Sequence, residues 1–267
     1  MALPIRDDER THRTPWVTLA LLALNVLVFL FIQPAGYQGG GIQAPQDQNR
    51  YWQRQEEEQF AYRWGAVACE ITTGKTLASE PDGCRGERPD DPPAGKSISL
   101  ALITAMFLHG SIDHLAGNML FLWVFGSTVE DRLGRLNYLG LYLLGGMVAT
   151  LGYVAVNAQS PIPLVGASGA IAVAMGAYLV LLPRGRILTI ITTAAFQVVY
   201  VPAAVVLLLF FVTQFFTDPA ESVAWEAHAA GMIAGVLAAA VLSRIPAVRR
   251  RAQEDAADAE LRAGTAF

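Results

Sequence analysis

Long apolar runs, separated by short polar clusters, govern what this chain can become. Trp16–Ile32 is one run, introduced by Thr14-Pro15 and closed by Gln33-Pro34. Others begin near Ile112, Leu136, Ser168, Val198 and Ala224. A soluble core has no use for several runs of that length. A bilayer with a hydrocarbon core about 30 Å thick needs about 20 apolar residues per helix. Charged residues make up only 16% of the chain, where a soluble domain carries roughly 25%. The runs are continuous rather than alternating, which excludes a β-barrel and leaves helices as the way to satisfy backbone groups in lipid. No basic stripe interleaved with aromatics is present, so nucleic-acid binding is set aside.

Six spans are predicted: Trp16–Ile32, Ile112–Glu130, Leu136–Asn157, Ser168–Leu182, Val198–Thr217 and Ala224–Ser243. Pro183, Asp218-Pro219 and Pro246 stop the last three. Ile187–Phe196 is apolar but too short to span, so it reads as interfacial or as an extension of the fifth helix. Gln33-Pro34-Ala35-Gly36 is a poor small-x-small cleavage site, so the first run reads as a span, not a removed signal peptide.

Arginines set the orientation. Arg6, Arg10 and Arg13, then Arg132 and Arg135, then Arg184 and Arg186, then the tail arginines from Arg244 onward, all fall on one side of a six-span chain. The opposite short loops, 158–167 and 218–223, hold no Lys or Arg. Both termini are therefore expected in the cytoplasm, with the protein integral to a prokaryotic plasma (inner) membrane. The division is a cytoplasmic N-terminus (1–15), a first span (16–32), an external loop with an interfacial helix at Ser97–His109 (33–111), a five-helix core (112–244) and a cytoplasmic tail (245–267). Within the external loop, 36–59 reads as a flexible insertion and 80–95 as irregular, with an ordered piece from Tyr62 to Ile71. Cys69 and Cys84 lie on the oxidising side, where a disulfide or two free thiols are both open.

Polar groups inside apolar helices are costly, so each needs a partner or a task. Gly166-Ala167-Ser168-Gly169 opens the fourth helix. Alone, such a run also fits close helix packing. His228 lies in the sixth helix, where Ala227, Gly231 and Gly235 recur every four residues and form one smooth strip. Gly169, Ala172 and Gly176 offer a matching strip on the fourth helix. Packing the two together would carry His228 to Ser168, and a hydroxyl becomes a useful nucleophile when a base accepts its proton. His114 and Asn118 share one face of the second helix, and their N–H groups could hold the oxyanion of an acyl-transfer intermediate. His109 stands close by as an auxiliary group, or as an ordinary exposed interfacial histidine. No HExxH is present, and Glu226, two residues before His228, lies near the surface, so neither metal nor cofactor is expected.

These residues resemble the rhomboid proteases. The resemblance rests on Phe107-Leu108-His109-Gly110, on His114-x-x-x-Asn118-Met119-x-x-Leu122, and on Phe125-Gly126-x-x-Val129-Glu130-x-x-Leu133-Gly134. Gly166-Ala167-Ser168-Gly169 is similar to the family's GxSG motif, and Ala227-His228-x-x-Gly231-x-x-x-Gly235 to its last-helix motif. The resemblance covers roughly Phe60 to Arg244. It implies an all-α, six-transmembrane-helix rhomboid fold with a long external first loop. It also implies an intramembrane serine endopeptidase with a Ser168–His228 dyad and no acidic third member. His114, Asn118 and the Ser168 backbone N–H would hold the oxyanion. The substrates would be transmembrane segments of other membrane proteins, cut near the outer bilayer face. The fifth helix and the loop before the last helix would gate their lateral entry, with Phe210, Phe211, Phe215 and Phe216 as bulky gate residues. Some members carry an aromatic residue one turn after the serine, stacked on the histidine. Here that position is Ala172, so another group must hold the His228 ring. Arg63-Trp64 is a reversed echo of a Trp-Arg pair found in some first loops. Two other classes compete. A catalytically dead rhomboid-like escort would usually lack Ser or His of the dyad. A small transporter or channel would carry a mid-span ionisable residue or broken helices in matching halves, and no internal repeat supports it.

Overall fold

The computed structural model describes residues 2–8, 11–34, 48–79, 83–86, 89, 91–192, 196–214 and 224–264. The chain is mostly helical. It opens with a strand, β1 (Ala2–Asp7), and an apolar helix, α1 (Trp16–Phe31). The segment after α1 holds α2 (Gln48–Trp64), a two-residue strand β2 (Ala66–Val67), α3 (Ala68–Thr73) and α4 (Ile98–Thr104). Next come α5 (Ile112–Phe121) and α6 (Ser127–Leu133), joined by a π-turn at Leu122–Gly126. The remainder is α7 (Arg135–Val156), β3 (Pro163–Leu164), α8 (Ser168–Leu181), β4 (Arg186–Thr192), β5 (Phe196–Pro202), α9 (Ala203–Thr213), α10 (Trp225–Leu242) and α11 (Pro246–Gly264).

The helix α8 forms the centre, with every residue from Ala170 to Tyr178 buried. Only small side chains let neighbouring backbones come this close. A β-carbon on Gly176 would overlap the Met232 carbonyl, and one on Gly235 would overlap the Val173 carbonyl. On Gly231 it would lie 2.5 Å from the Gly169 carbonyl oxygen and 3.2 Å from the Ala172 β-carbon. The two glycine–alanine strips of α8 and α10 therefore meet. On α7, Gly145 gives room to Val173 and Gly152 to Ala230.

Large apolar side chains face outward on the surrounding helices: Leu136 and Leu144 on α7, Leu208 on α9, Ile233 and Leu237 on α10. Such a distribution suits lipid rather than water. Among the described residues, α7 and α10 are each long and apolar enough to cross a bilayer, while α1, α8 and α9 are shorter apolar helices. Ile98–Phe107 and Ile112–Leu133 form an apolar pair bent by 81°.

A three-stranded antiparallel sheet, in the order β1-β4-β5, corrects the all-α expectation. Ile187–Phe196 is neither an interfacial helix nor an extension of the fifth helix. It supplies most of β4 and leads into β5. The fifth helix starts at Ala203, just after Pro202, not at Val198. Its expected end, Thr217, lies outside the described residues, as do Phe215, Phe216 and Asp218-Pro219. Asp7, at the end of β1, accepts hydrogen bonds from Thr128 Oγ1 (2.8 Å) and the Tyr178 hydroxyl (2.8 Å), fastening the sheet to the helices. Nearby, Glu130 of α6 caps α1 by accepting from Val17 N, Thr18 N and Thr18 Oγ1. Asp255 of α11 pairs with Arg13 and Arg132, so both ends of the chain gather at this face. Pro246 begins α11 rather than merely ending α10, as suits a residue whose missing N–H costs nothing in a first helical turn.

The segment between α1 and α5 is more ordered than the sequence suggested. Gln48–Trp64 is helical within the expected flexible insertion, while 36–47 and much of 80–90 lie outside the described residues. Cys69 and Cys84 form a disulfide. Lys96 and Glu70 form a buried ion pair, and Glu70 also accepts from Leu77 N. Burial pulls the Lys96 ammonium below its usual range, against the opposing pull of Glu70. Burial, followed by the charges of Glu58 and Glu70, pushes Tyr62 up to about 12. The segment grips the loop before α8: β2 pairs with β3, Cys69 N donates to the Ser160 carbonyl, and Arg85 N donates to the Gln159 carbonyl.

Candidate active site

Ser168 is the first residue of α8. Its own N–H therefore has no carbonyl four residues back within the helix. Gly166, just before it, has φ +132°, a conformation that L side chains rarely adopt. Gly166 N donates to the Ala105 carbonyl (2.9 Å), which ties this turn to the end of α4.

His228 lies in the first turn of α10, 6% exposed. Its Nε2 is 2.6 Å from Ser168 Oγ. The contact spans 60 positions of sequence, and the interlocked strips of α8 and α10 bring it about. The other ring nitrogen, Nδ1, lies 2.6 Å from Gln214 Oε1 at the end of α9. The Phe210 ring stands 5.9 Å from the His228 ring and 5.0 Å from Phe121, so it fills the space between α5 and α10.

His114 reaches the site from α5. Ser111 caps this helix, its Oγ accepting from His114 N at 3.1 Å. Gly110 N donates to His114 Nδ1 at 3.4 Å, so the ring proton belongs on Nε2. That nitrogen would be 3.0 Å from a β-carbon built on Gly166, and Ser168 Oγ would be 3.6 Å from the same carbon. The missing side chain thus leaves a small space bordered by the serine hydroxyl and a histidine N–H. One turn further along, Asn118 is 8% exposed and its Nδ2 has no hydrogen-bond partner among the described residues.

His109 is fully buried, not the exposed interfacial histidine that was the plainer alternative. Its backbone is clipped by Gln33, whose Oε1 accepts from His109 N (3.0 Å) and whose Nε2 donates to the His109 carbonyl (2.9 Å). Its ring packs edge-on to His114, with centroids 5.2 Å apart, and neither ring nitrogen has a partner among the described residues. The structure therefore brings Ser168, His228 and His114 around one point, with Asn118 a turn along α5 and His109 behind His114.

Sequence reasoning missed Gln214. It lies near the end of an apolar run, where a polar residue needs no special explanation. The one available signal was Ala172, which leaves the histidine ring without a neighbour at that position.

A family model described as the rhomboid domain matches residues 98–245. Presenilin-associated rhomboid-like protein A, mitochondrial, of Danio rerio is 36% identical over 97 residues, which is 36% of this chain and 25% of that protein. Rhomboid protease GluP of Bacillus subtilis (strain 168) is 34% identical over 143 residues, 53% of this chain and 25% of that protein. Rhomboid protein 1, mitochondrial, of Saccharomyces cerevisiae is 33% identical over 93 residues, 33% of this chain and 27% of that protein. The chain spans about a quarter of the length of the curated relatives it matches. The expected prokaryotic plasma membrane is corrected by these matches. Relatives from fish, mammals and yeast are mitochondrial by name, which overturns that expectation. With more than half of its length matched by that domain, its motifs in order and its serine and histidine in contact, the chain belongs to the rhomboid family.

Proposed function

We propose that this protein is an intramembrane serine endopeptidase that cuts transmembrane segments of other membrane proteins near one bilayer face. In this reading six spans cross the bilayer: α1, α5 with α6, α7, α8, α9 and α10. The single observation that carries the reading is the 2.6 Å contact between Ser168 Oγ and His228 Nε2.

The chemistry follows from that contact. Ser168 Oγ attacks the peptide carbonyl carbon while His228 Nε2 takes its proton. The carbonyl oxygen becomes an oxyanion beside Gly166. His114 Nε2–H, Asn118 Nδ2–H and the Ser168 N–H donate to it, in surroundings where water competes little. The C–N bond then breaks, and the leaving amine takes the proton from His228. Water, deprotonated by the same histidine, attacks the acyl-enzyme and releases the new carboxylate and Ser168. His109 backs His114 as an auxiliary group. Substrate would enter laterally between α5 and α9, where Phe121 and Phe210 now touch. Phe210 and Phe211 would belong to that gate. Phe215 and Phe216, expected there too, lie outside the described residues.

The test is cleavage of a reporter transmembrane substrate in liposomes, with the wild type beside Ser168→Ala. Cleavage should vanish in the variant, and a fluorophosphonate probe should label only the wild type. Cleavage that survives the substitution would overturn the assignment.

A further inference from the structure

We propose that Gln214 is a positioning residue for His228. The inference rests on the protease reading above and extends it.

A general base must present a lone pair to the hydroxyl, so the ring proton has to sit on the far nitrogen. Gln214 Oε1 lies 2.6 Å from His228 Nδ1, the far nitrogen. A carbonyl oxygen can only accept, whereas the amide nitrogen at the other end of the side chain can only donate. Which end faces the ring therefore decides the tautomer. Gln214 Nε2 donates back to the Phe210 carbonyl, one turn earlier in the same helix, at 3.4 Å. With the amide nitrogen engaged there, the oxygen is left for the imidazole. Nδ1 then carries the proton, and Nε2 offers its lone pair to Ser168.

Position also matters. At Ala172, where an aromatic side chain could have stacked on the ring, α10 lies too close. A β-carbon on Gly231 would already touch the Ala172 β-carbon at 3.2 Å. The last turn of α9 fills both roles instead: Phe210 stands beside the ring and Gln214 holds its far edge. The amide is neutral, so it orients the base without balancing the charge that forms on it. Its loss should therefore cost less than the loss of a carboxylate in a triad.

The experiment uses the full chain in liposomes and compares wild type, Gln214→Met and Gln214→Glu. Methionine keeps the length and removes the acceptor; glutamate keeps a carbonyl oxygen at the same reach. We expect Gln214→Met to lower kcat by about 10- to 100-fold, with KM and thermal midpoint unchanged. Fluorophosphonate labelling of Ser168 should slow in step. Gln214→Glu should recover most of that loss. Wild-type kcat in Gln214→Met, a loss confined to KM or to the thermal midpoint, or no recovery with glutamate would each overturn the proposal. If Ser168→Ala still cleaves, the protease reading fails. If Ser168→Ala is dead and Gln214→Met cleaves at the wild-type rate, only the role of Gln214 falls.

Discussion

At Gly166 a single methyl group would close the space beside His114 and Ser168. A β-carbon there would sit 2.9 Å from His114 Cε1 and 3.0 Å from its Nε2, on a backbone already at φ +132°. It would fill the space assigned to the oxyanion. We predict that Gly166→Ala lowers kcat by roughly 10²–10³-fold, the scale of losing one oxyanion donor. The folded helix bundle should remain, which helix content by circular dichroism would check. At this scale the sequence was informative because lipid makes polar groups conspicuous. Ser168, His228, His114 and Asn118 stood out as polar side chains within apolar helices, at spacings that put each on a usable face. Gln214 did not stand out, since it lies beyond the deepest part of its run. His109 was visible, but its complete burial was not, because burial depends on Gln33 closing over its backbone from the bend after α1.

Among elements, the sheet was least legible. Ile187–Phe196 is a short apolar run, and periodicity alone cannot tell such a run from a piece of helix. The missed signal was β-branching: Ile187, Thr189, Ile190 and Ile191 in β4, then Val198, Val199 and Val201 in β5. Ile187 and Thr189 are buried while Arg186 is exposed, the two-residue alternation of a strand. The helices α1, α5, α7, α8 and α10 were readable because each begins where an apolar run begins. Their mutual packing was readable through the four-residue recurrence of small side chains. Between α1 and α5 the ordered piece from Tyr62 to Ile71 was readable, but the helix that starts at Gln48 was not, and much of the order there comes from contacts between distant residues. The Lys96–Glu70 pair is one of these. Removing a single partner of a buried pair strands the other charge, at a cost of about 3–5 kcal/mol. We predict that Lys96→Met makes the segment from Tyr62 to Ser79 exchange its amide hydrogens faster. The double variant Lys96→Met/Glu70→Leu should restore much of the lost protection.

Across the whole molecule, two faces are fastened by different means. On one face, the disulfide-closed segment grips residues 159–164, which lead into Ser168. Closing this short loop contributes about 3 kcal/mol in the chain-entropy account. Reduction, or Cys69→Ser with Cys84→Ser, should lower the thermal midpoint. It should also slow cleavage more than the same reductant slows a soluble serine protease that lacks disulfides. A reductant-independent midpoint would argue against that coupling. On the other face, β1 pairs with β4: Ala2 faces Ile191, and Asp7 faces Ile187. β1 must therefore wait until α1 to α8 have followed it before its partner β4 exists. Closing so large a loop is slow compared with forming local helices. Insertion of the bundle can thus run ahead while the base of the molecule is still open, and sealing of the sheet becomes a late event in biogenesis.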